Sequence, residues 1–538
     1  MRTTVLGAMY EGVKHIFKHT FTVKYPYQKV LLPKGFRGRH LLYMDKCTGC
    51  GICAWICPER CITLVPTTNN AEYPQNPEKR FPQYWYARCC FCHFCVTPET
   101  LVTANPSVKP IGEIEIGDLV LTHTGLHRKV RQVYRRNYSG RLYTIRPLGA
   151  PFSLNVTEDH PLLASTRNIA KKGRLEKQVR EPSWKTPKEL KPGDYLTLPI
   201  MKETRDTDFF EQQVTVGQPS TGRRLPRQLK LPASLDLFRL VGYYLAEGYV
   251  VRRTVGFAFG EHEKEYISDT IRLLKKLFKG EPKTQTIHHS THVLLHSVVA
   301  LQFFETFGRS SDTKRIPDWM MFAPVEKQKE LVRGAWRGDG YFHEPTKGNR
   351  STFFEYVTVS RALAFQLQQL LMRNRLVGEL ATTHHKNRKT SYILTVRGRF
   401  VPRMTKLMGI RFKDVREKTF TRFELDDSYL YAPIQRISST QVTNQPVVNL
   451  SVEGDESYVA GNVTAHNCTD YCPTGALDYT PDYELAEYDR ELLLWSPERL
   501  AKPPTNVGEY HSVFHGSAGD RGVTFEPVAK QKTDVHQD

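Results

Sequence analysis

RCCFCHFCVTPETLV at 88–102 and GNVTAHNCTDYCPTG at 461–475 read as two pieces of one pattern, cut between Cys95 and Cys468 by 373 residues. The eleven cysteines stand at 47, 50, 53, 57, 61, 89, 90, 92, 95, 468 and 472, and none lies between Val96 and Asn467. Joining Phe94 to Cys468 gives CCFCHFCTDYCP, with Cys89, Cys92, Cys468 and Cys472 at C-x2-C-x2-C-x3-C-P. CTGCGICAWICP (47–58) already has that spacing at Cys47, Cys50, Cys53 and Cys57. The chain therefore reads as a small cysteine-rich unit interrupted by residues 95–467.

At 538 residues the chain is too long for one ordinary domain. No apolar run reaches the 18 or so residues of a membrane span, and no signal peptide is expected at the N-terminus. C-x2-C repeats without a secretion signal favour metal binding in a reducing compartment over disulfides. Charge is unevenly placed. Residues 1–94 carry 13 Lys and Arg against 5 Asp and Glu, and residues 468–538 carry 6 against 13. The whole chain is +20, so residues 95–467 hold 57 against 38. A basic excess confined to the insert points to a nucleic-acid partner for that segment, the alternative being a merely soluble basic surface.

Residues 3–19 place Val5, Leu6, Met9, Val13, Ile16 and Phe17 at helical spacing. Such a helix lies on a membrane surface or a partner, or packs on its own domain. Residues 20–45 read as extended, and the tail beyond Pro503 as poorly ordered. Within the insert, residues 95–200 are rich in Val, Leu, Ile and Thr with Gly117-Asp118 and Gly193-Asp194 turns, an all-β pattern. Residues 201–230 read as a polar linker, 231–425 alternate helices with short strands, and 430–467 return to β character. A β unit split around an α/β unit implies one domain inserted in another.

The doubled cysteine run is the ligand pattern of two 4Fe–4S clusters. Three thiolates on a tight loop reach one cube, and the fourth, before Pro, reaches the other. On that rule Cys47, Cys50, Cys53 and Cys472 hold one cluster, and Cys89, Cys92, Cys468 and Cys57 the other. A structural zinc site would use paired C-x2-C without the trailing Cys-Pro. Cys61 and Cys90 read as small buried residues near a cluster. In the uninterrupted text Glu99 and Thr100 stand where the fourth cysteine and its Pro belong, so normal cluster assembly is expected to require excision.

With the flanks joined, the amphipathic N-terminal stretch, FRGRHLLYMDKCTGCGICAWICP, RCCFCHFC and TDYCPTGALDYTPDYELAEYDRELLL resemble subunit I of NADH–quinone oxidoreductase, respiratory complex I. That resemblance implies a membrane-peripheral electron carrier on the cytoplasmic side of the cell membrane. It would dock against other subunits, including membrane subunits near the quinone site, relay electrons toward quinone, and bind no small-molecule substrate directly. Cys90 and His93 are less usual within the second run, and the tail differs from the family's.

Protein splicing needs a nucleophile at the first residue of the insert, a terminal Asn and a nucleophile after it. Cys95, Asn467 and Cys468 supply them. The bounded segment resembles an intein. CVTPETLV opens it, NVTEDHPLL supplies Thr157 and His160, and VVNLSVEGDESYVAG with NVTAHN closes it, His466 being penultimate. The resemblance gives Cys95 the first attack, His160 the protonation of the leaving nitrogen, Thr157 an orienting role, Cys468 the acyl acceptance, and Asn467 the release, assisted by His466. Asn449 stands where an acid is frequent and Glu456 where His is frequent. The excised segment is expected to be cytoplasmic.

LVGYYLAEGY (240–249) and VRGAWRGDGY (332–341) align without gaps, matching Gly242 with Gly334, Ala246 with Gly338 and Glu247 with Asp339. Small residues four apart let two helices approach closely, and the acids at their ends then meet. Paired carboxylates bind Mg²⁺, which activates water against a phosphodiester. The two stretches resemble LAGLIDADG (dodecapeptide) homing endonucleases. The resemblance implies Glu247 and Asp339 as Mg²⁺ ligands, Lys314 as a polar catalytic partner, and basic strands that read DNA. The alternative is a packing repeat without activity.

The expected class is α+β: a ferredoxin-like two-cluster host (1–94 and 468–538), split by a β-rich Hint splicing domain (95–200 and 430–467), which carries an α/β LAGLIDADG endonuclease domain (231–425). Two other readings are a permanent iron–sulfur DNA-processing enzyme that keeps its insert, and a soluble two-cluster ferredoxin.

Overall fold

The computed structural model describes residues 39–51, 53–54, 57, 60–68, 71–87, 95–105, 107–166, 181–217, 224–344, 352–384, 388–410, 422–455, 457–466, 476–480, 482 and 485–503. The amphipathic stretch 3–19, the tail beyond 503, and Cys89, Cys90, Cys92, His93, Phe94, Glu456, Asn467, Cys468 and Cys472 lie outside the described residues. No helix among the described residues is long and apolar enough to cross a membrane. The chain forms two compact units, residues 1–90 with 471–538, and residues 91–470.

In the first unit, strands from the two ends of the chain pair directly. His40–Leu42 runs antiparallel to Leu477–Tyr479, with His40 opposite Tyr479. Ile62–Pro66, Arg80–Trp85 and Leu494–Trp495 form a second sheet. The Arg39 guanidinium, buried with Asp482, bonds its carboxylate at 2.8 Å and also the carbonyls of Lys502 and Pro503. A buried charge is tolerated only when paired and hydrogen-bonded in this way. The two flanks thus share one fold across the intervening 373 residues.

The second unit is mixed α and β with much sheet. Its spine is two long antiparallel strands, His127–Pro147 and Tyr429–Val452, with bulges near Ile434, Val442 and Ser451 that bend the pair. Gly117 and Gly193 have φ of +95°, so the predicted Gly-Asp turns use the left-handed backbone that glycine permits. Val96, Val102, Ile111, Val120, Leu154, Val156, Leu162, Leu450, Tyr458 and Val463 form one buried core. Strand Tyr195–Pro199 pairs with the start of the long strand, Pro199 opposite Tyr429. The chain therefore leaves this sheet at residue 199 and rejoins it at 429, and a helical module fills the interval.

That module contains two similar halves. Helix Leu235–Glu247 leads into a four-stranded sheet, ordered 248–251, 254–260, 290–296, 283–287. Helix Val325–Asp339 leads into another, ordered 340–343, 353–358, 391–397, 379–383.

The expected linker at 201–230 is corrected. Phe209–Gly217 and Arg224–Pro232 form an antiparallel ribbon paired along its whole length. Phe210 lies 5.2 Å from the Phe303 ring and 5.0 Å from Trp319. Val214 and Leu231 are buried. Two-residue periodicity is present, but alternating Glu, Gln, Arg and Lys lower its average hydropathy to that of a loop.

Candidate functional site

Three groups of predicted residues fall in the described structure. At the ends of the insert, Cys95 is 1% exposed. Its N–H donates to Thr157 Oγ1 at 3.1 Å, and its carbonyl accepts the Thr157 N–H at 3.0 Å. Val96 then exchanges both main-chain hydrogen bonds with Val448. From the other end, His466 closes strand Val463–His466, and its N–H donates to the Pro161 carbonyl at 3.0 Å. His160 connects the two ends. It is fully buried, its ring interacts with the Cys95 main chain, and it places Nε2 3.0 Å from the His466 carbonyl. A carbonyl can only accept, so Nε2 carries a proton there. Burial holds the His160 pKa down at about 3, with the neighbouring His466 acting in the same direction, so the ring is neutral at physiological pH. Residues 95 and 466 thus converge on one imidazole. Asn449 is buried, and its Oδ1 accepts the Leu450 N–H at 2.7 Å. Sequence reasoning missed Trp184, whose ring lies 4.7 Å from that of His466. No local motif marks it.

In the helical module, Gly242 and Gly334 make the helix contact possible. A Cβ on Gly242 would lie 2.3 Å from the Leu331 carbonyl, and one on Gly334 2.3 Å from the Arg239 carbonyl. One turn on, the position a Gly338 Cβ would take is 2.5 Å from Ala246 Cβ and 2.9 Å from Glu247 Cγ. Arg239 ties the opposite ends together through Asp236, Asp269 and Glu330, each at 3.0 Å. Gly334→Ala should therefore lower stability by about 1–3 kcal/mol or more, because backbone rather than a flexible side chain must yield; thermal unfolding of the variant checks this.

The close approach delivers Glu247 and Asp339 to one place. Burial pushes the Glu247 carboxyl up to about 8, and Asp339 and Glu263 push the same way against Lys314. Asp339 is raised too, by its protein surroundings and Glu263, although its outer edge keeps solvent access. Burial lowers Lys314 to about 8 despite both acids. Its Nζ donates to the Ala246 carbonyl at 2.9 Å, at the end of the first helix. Glu263, not singled out from sequence, is held by the Gly260 N–H at 2.7 Å. Burial and neighbouring acids raise both carboxyls against the opposing charge of Lys314, a setting in which a hard, oxygen-preferring divalent cation would favour the ionised forms. Among the described residues, no group of three or more His, Cys, Asp or Glu side chains converges as a metal site.

In the first unit, Cys47, Cys50 and Cys53 line one pocket with Leu64, Pro82 and Ala476. Cys47 is buried, Cys50 exposed, and Cys53 and Cys57 half-buried. Gly49 and Gly51 have φ of +69° and +77°, a tight turn that brings Cys47, Cys50 and Cys53 to the same recess. A Cβ on Gly49 would lie 2.7 Å from Asn76 Oδ1, whose side chain also bonds the Arg80 main chain. A loop of thiols around a recess fits a cluster larger than a bare ion. Gly49→Ala should cost about 1–2 kcal/mol for the left-handed backbone alone, and should lower bound iron per chain, measured colorimetrically. Cys61 is buried with Sγ 3.3 Å from Cys57 Sγ.

Comparison with known proteins separates these parts. Residues 42–63 match the family described as 4Fe-4S binding domain, and residues 326–409 match the LAGLIDADG-like domain. An uncharacterized protein of Methanocaldococcus jannaschii is 32% identical over 413 residues, covering 70% of this chain and 50% of that protein. An iron–sulfur cluster assembly SufBD family protein of Mycobacterium tuberculosis strain H37Rv is 28% identical over 390 residues, covering 69% and 42%. NADH-quinone oxidoreductase subunit I of Protochlamydia amoebophila is 38% identical over 80 residues, covering 13% and 51%. The chain spans about half the length, or less, of these relatives. It carries a 4Fe–4S binding domain, a stretch similar to a complex I subunit, and a LAGLIDADG-like domain.

Proposed function

We propose that this chain is a precursor. Residues 1–94 and 468–538 become a membrane-peripheral subunit of an NADH–quinone oxidoreductase. Residues 95–467 are an intein that excises itself and carries a DNA-cutting LAGLIDADG module. The observation that carries this reading is the convergence of Cys95 and His466 on the single buried ring of His160. Relatives of quite different names cover 69–70% of the chain, and residues 95–467 make up a like share of it. That supports a portable segment.

The chemistry follows from the groups present. Cys95 Sγ bonds to the Phe94 carbonyl carbon, the amide C–N bond breaks, and its nitrogen gains a proton, leaving a thioester. Thr157, bonded to both main-chain groups of Cys95, holds that peptide in place. His160, in contact with Cys95 and with the His466 carbonyl, takes the proton that the Cys95 thiol loses and passes it to the leaving nitrogen. Cys468 then takes the acyl group. Asn467 Nδ2 attacks its own carbonyl carbon and releases the insert, and a sulfur-to-nitrogen shift leaves a Phe94–Cys468 amide.

In the joined flanks, Cys47, Cys50, Cys53 and Cys472 would hold one cluster, and Cys89, Cys92, Cys468 and Cys57 the other. When bound, the two clusters supply one-electron carriage. In the helical module, Glu247 and Asp339 would hold Mg²⁺, which supplies an activated water and offsets phosphodiester charge. Lys314 places its ammonium beside the acids, and the flanking sheets offer Arg252, Arg253, Lys283, Arg388 and Arg397 to a DNA backbone.

Intact-mass analysis of the expressed chain tests the reading. Joined flanks of 165 residues with a free 373-residue insert support it. A stable 62.0 kDa species that carries clusters supports the permanent DNA-processing enzyme instead. Co-purification of the joined product with membrane subunits separates a complex I subunit from a soluble ferredoxin.

A further inference from the structure

His466 is not approached by His160 alone. The Trp184 ring, on strand Ser183–Lys185, lies 4.7 Å from the His466 ring at 69°. It also lies 6.0 Å from the ring of His123 at 74°. The indole therefore stands between two imidazoles that are 343 residues apart in the chain. A second link runs through Ser457, which is fully buried and faces His466 in the register of the closing hairpin. Its Oγ accepts the His123 N–H at 3.0 Å and lies 2.8 Å from His123 Nδ1.

The turn that presents His123 is itself fixed. Asp455 accepts from Thr122 Oγ1 at 2.6 Å, Thr124 Oγ1 at 2.7 Å and Arg128 Nε at 3.0 Å. So one carboxylate near the end of the insert locks a turn near its beginning, and that turn returns an imidazole to the end.

Such a construction is more than packing. A buried aromatic pair adds about 0.5–1.5 kcal/mol beyond its burial and prefers edge-to-face geometry. Here that preference is applied to the ring next in sequence to Asn467. Trp184 packs on His466, and His123 meets both Trp184 and Ser457, so these side chains act on the closing end of the insert.

We propose that His123 and Trp184 are positioning residues for C-terminal cleavage, which they serve by fixing the His466 ring. This rests on the splicing reading. In the step concerned, a bond forms between Asn467 Nδ2 and its own carbonyl carbon. The Asn467–Cys468 C–N bond breaks, and the proton lost by Nδ2 is matched by the one gained by the Cys468 nitrogen. His466 passes that proton, and the rate depends on where its ring is held.

The test compares the full chain with its His123→Ala, Trp184→Ala and Trp184→Phe variants, timing two bond cleavages by mass spectrometry. Dithiothreitol-induced cleavage at Phe94–Cys95 should be unchanged, which also reports correct folding. Release at Asn467–Cys468 should slow about 10²-fold in His123→Ala and Trp184→Ala, as expected for a misplaced catalytic group. Trp184→Phe should restore most of it. Release within twofold of wild type in both alanine variants overturns the inference, as does an equal loss at both bonds that Trp184→Phe does not relieve. A wild-type chain that cleaves at neither bond removes the splicing reading, and this inference with it.

Discussion

Cys95→Ala and Asn467→Ala should each leave material of 62.0 kDa, linear in the first and branched in the second, with no joined 165-residue product. The two variants fail at different bonds. Without the Cys95 thiol nothing attacks the Phe94 carbonyl, and no thioester forms for dithiothreitol to cleave. With Asn467→Ala the thioester and the transfer to Cys468 still occur, so a branched species accumulates and thiol releases it. Cys95 is 1% exposed and Thr157 grips both of its main-chain groups, so solvent hydroxide cannot substitute for the thiol. The rate should fall by more than about 10³-fold, as when a covalent nucleophile is deleted from a system acting as a unit. Iron should fall with it, because Glu99 and Thr100 occupy the positions that Cys472 and its Pro fill after joining. Gel analysis and iron assay of the same preparations check both effects.

Glu247→Gln with Asp339→Asn should abolish Mg²⁺-dependent DNA cleavage by the excised segment, by about 10³-fold or more. The same pair should show itself without DNA. In the folded chain the Glu247 carboxyl sits at about 8 against an ordinary 4.5. Between those values the folded form keeps a proton that the unfolded form has lost. Stability therefore falls as pH rises from about 4.5 to 8. Allowing for screening at a half-buried group, the loss by pH 9 is roughly 2 kcal/mol. Glu247→Gln should flatten that decline. Mg²⁺ requires both carboxylates ionised, so binding releases protons, and its affinity should rise with pH across the same window. Thermal shift with and without Mg²⁺ at pH 6 and pH 8 measures this. A larger Mg²⁺-induced shift at pH 8 is expected for the native sequence, and none for the double variant.

What could be read from the sequence was whatever lies within a few residues along the chain. The cysteine ladders, the Gly-Asp turns and the two aligned stretches around Gly242 and Gly334 are local patterns, fixed by covalent spacing and backbone preference. The pairing of His40–Leu42 with Leu477–Tyr479 was foreshadowed because the cysteine text already demanded that the flanks meet. The ribbon at 209–232 was hidden by polar side chains on its outer face. His123, Trp184 and Glu263 were invisible for another reason. Each matters through a tertiary contact, and a lone His, Trp or Glu carries no spacing that announces its partner. Even the convergence of Cys95 and His466 on His160 required the long bulged strand pair, whose register no short motif encodes.

The most direct test is tandem mass spectrometry of the native, iron-loaded carrier, digested across the proposed junction. The account predicts a peptide in which Phe94 is bonded to Cys468, in a protein free of residues 95–467. An iron-loaded carrier that still yields the Phe94–Cys95 and Asn467–Cys468 peptides contradicts it.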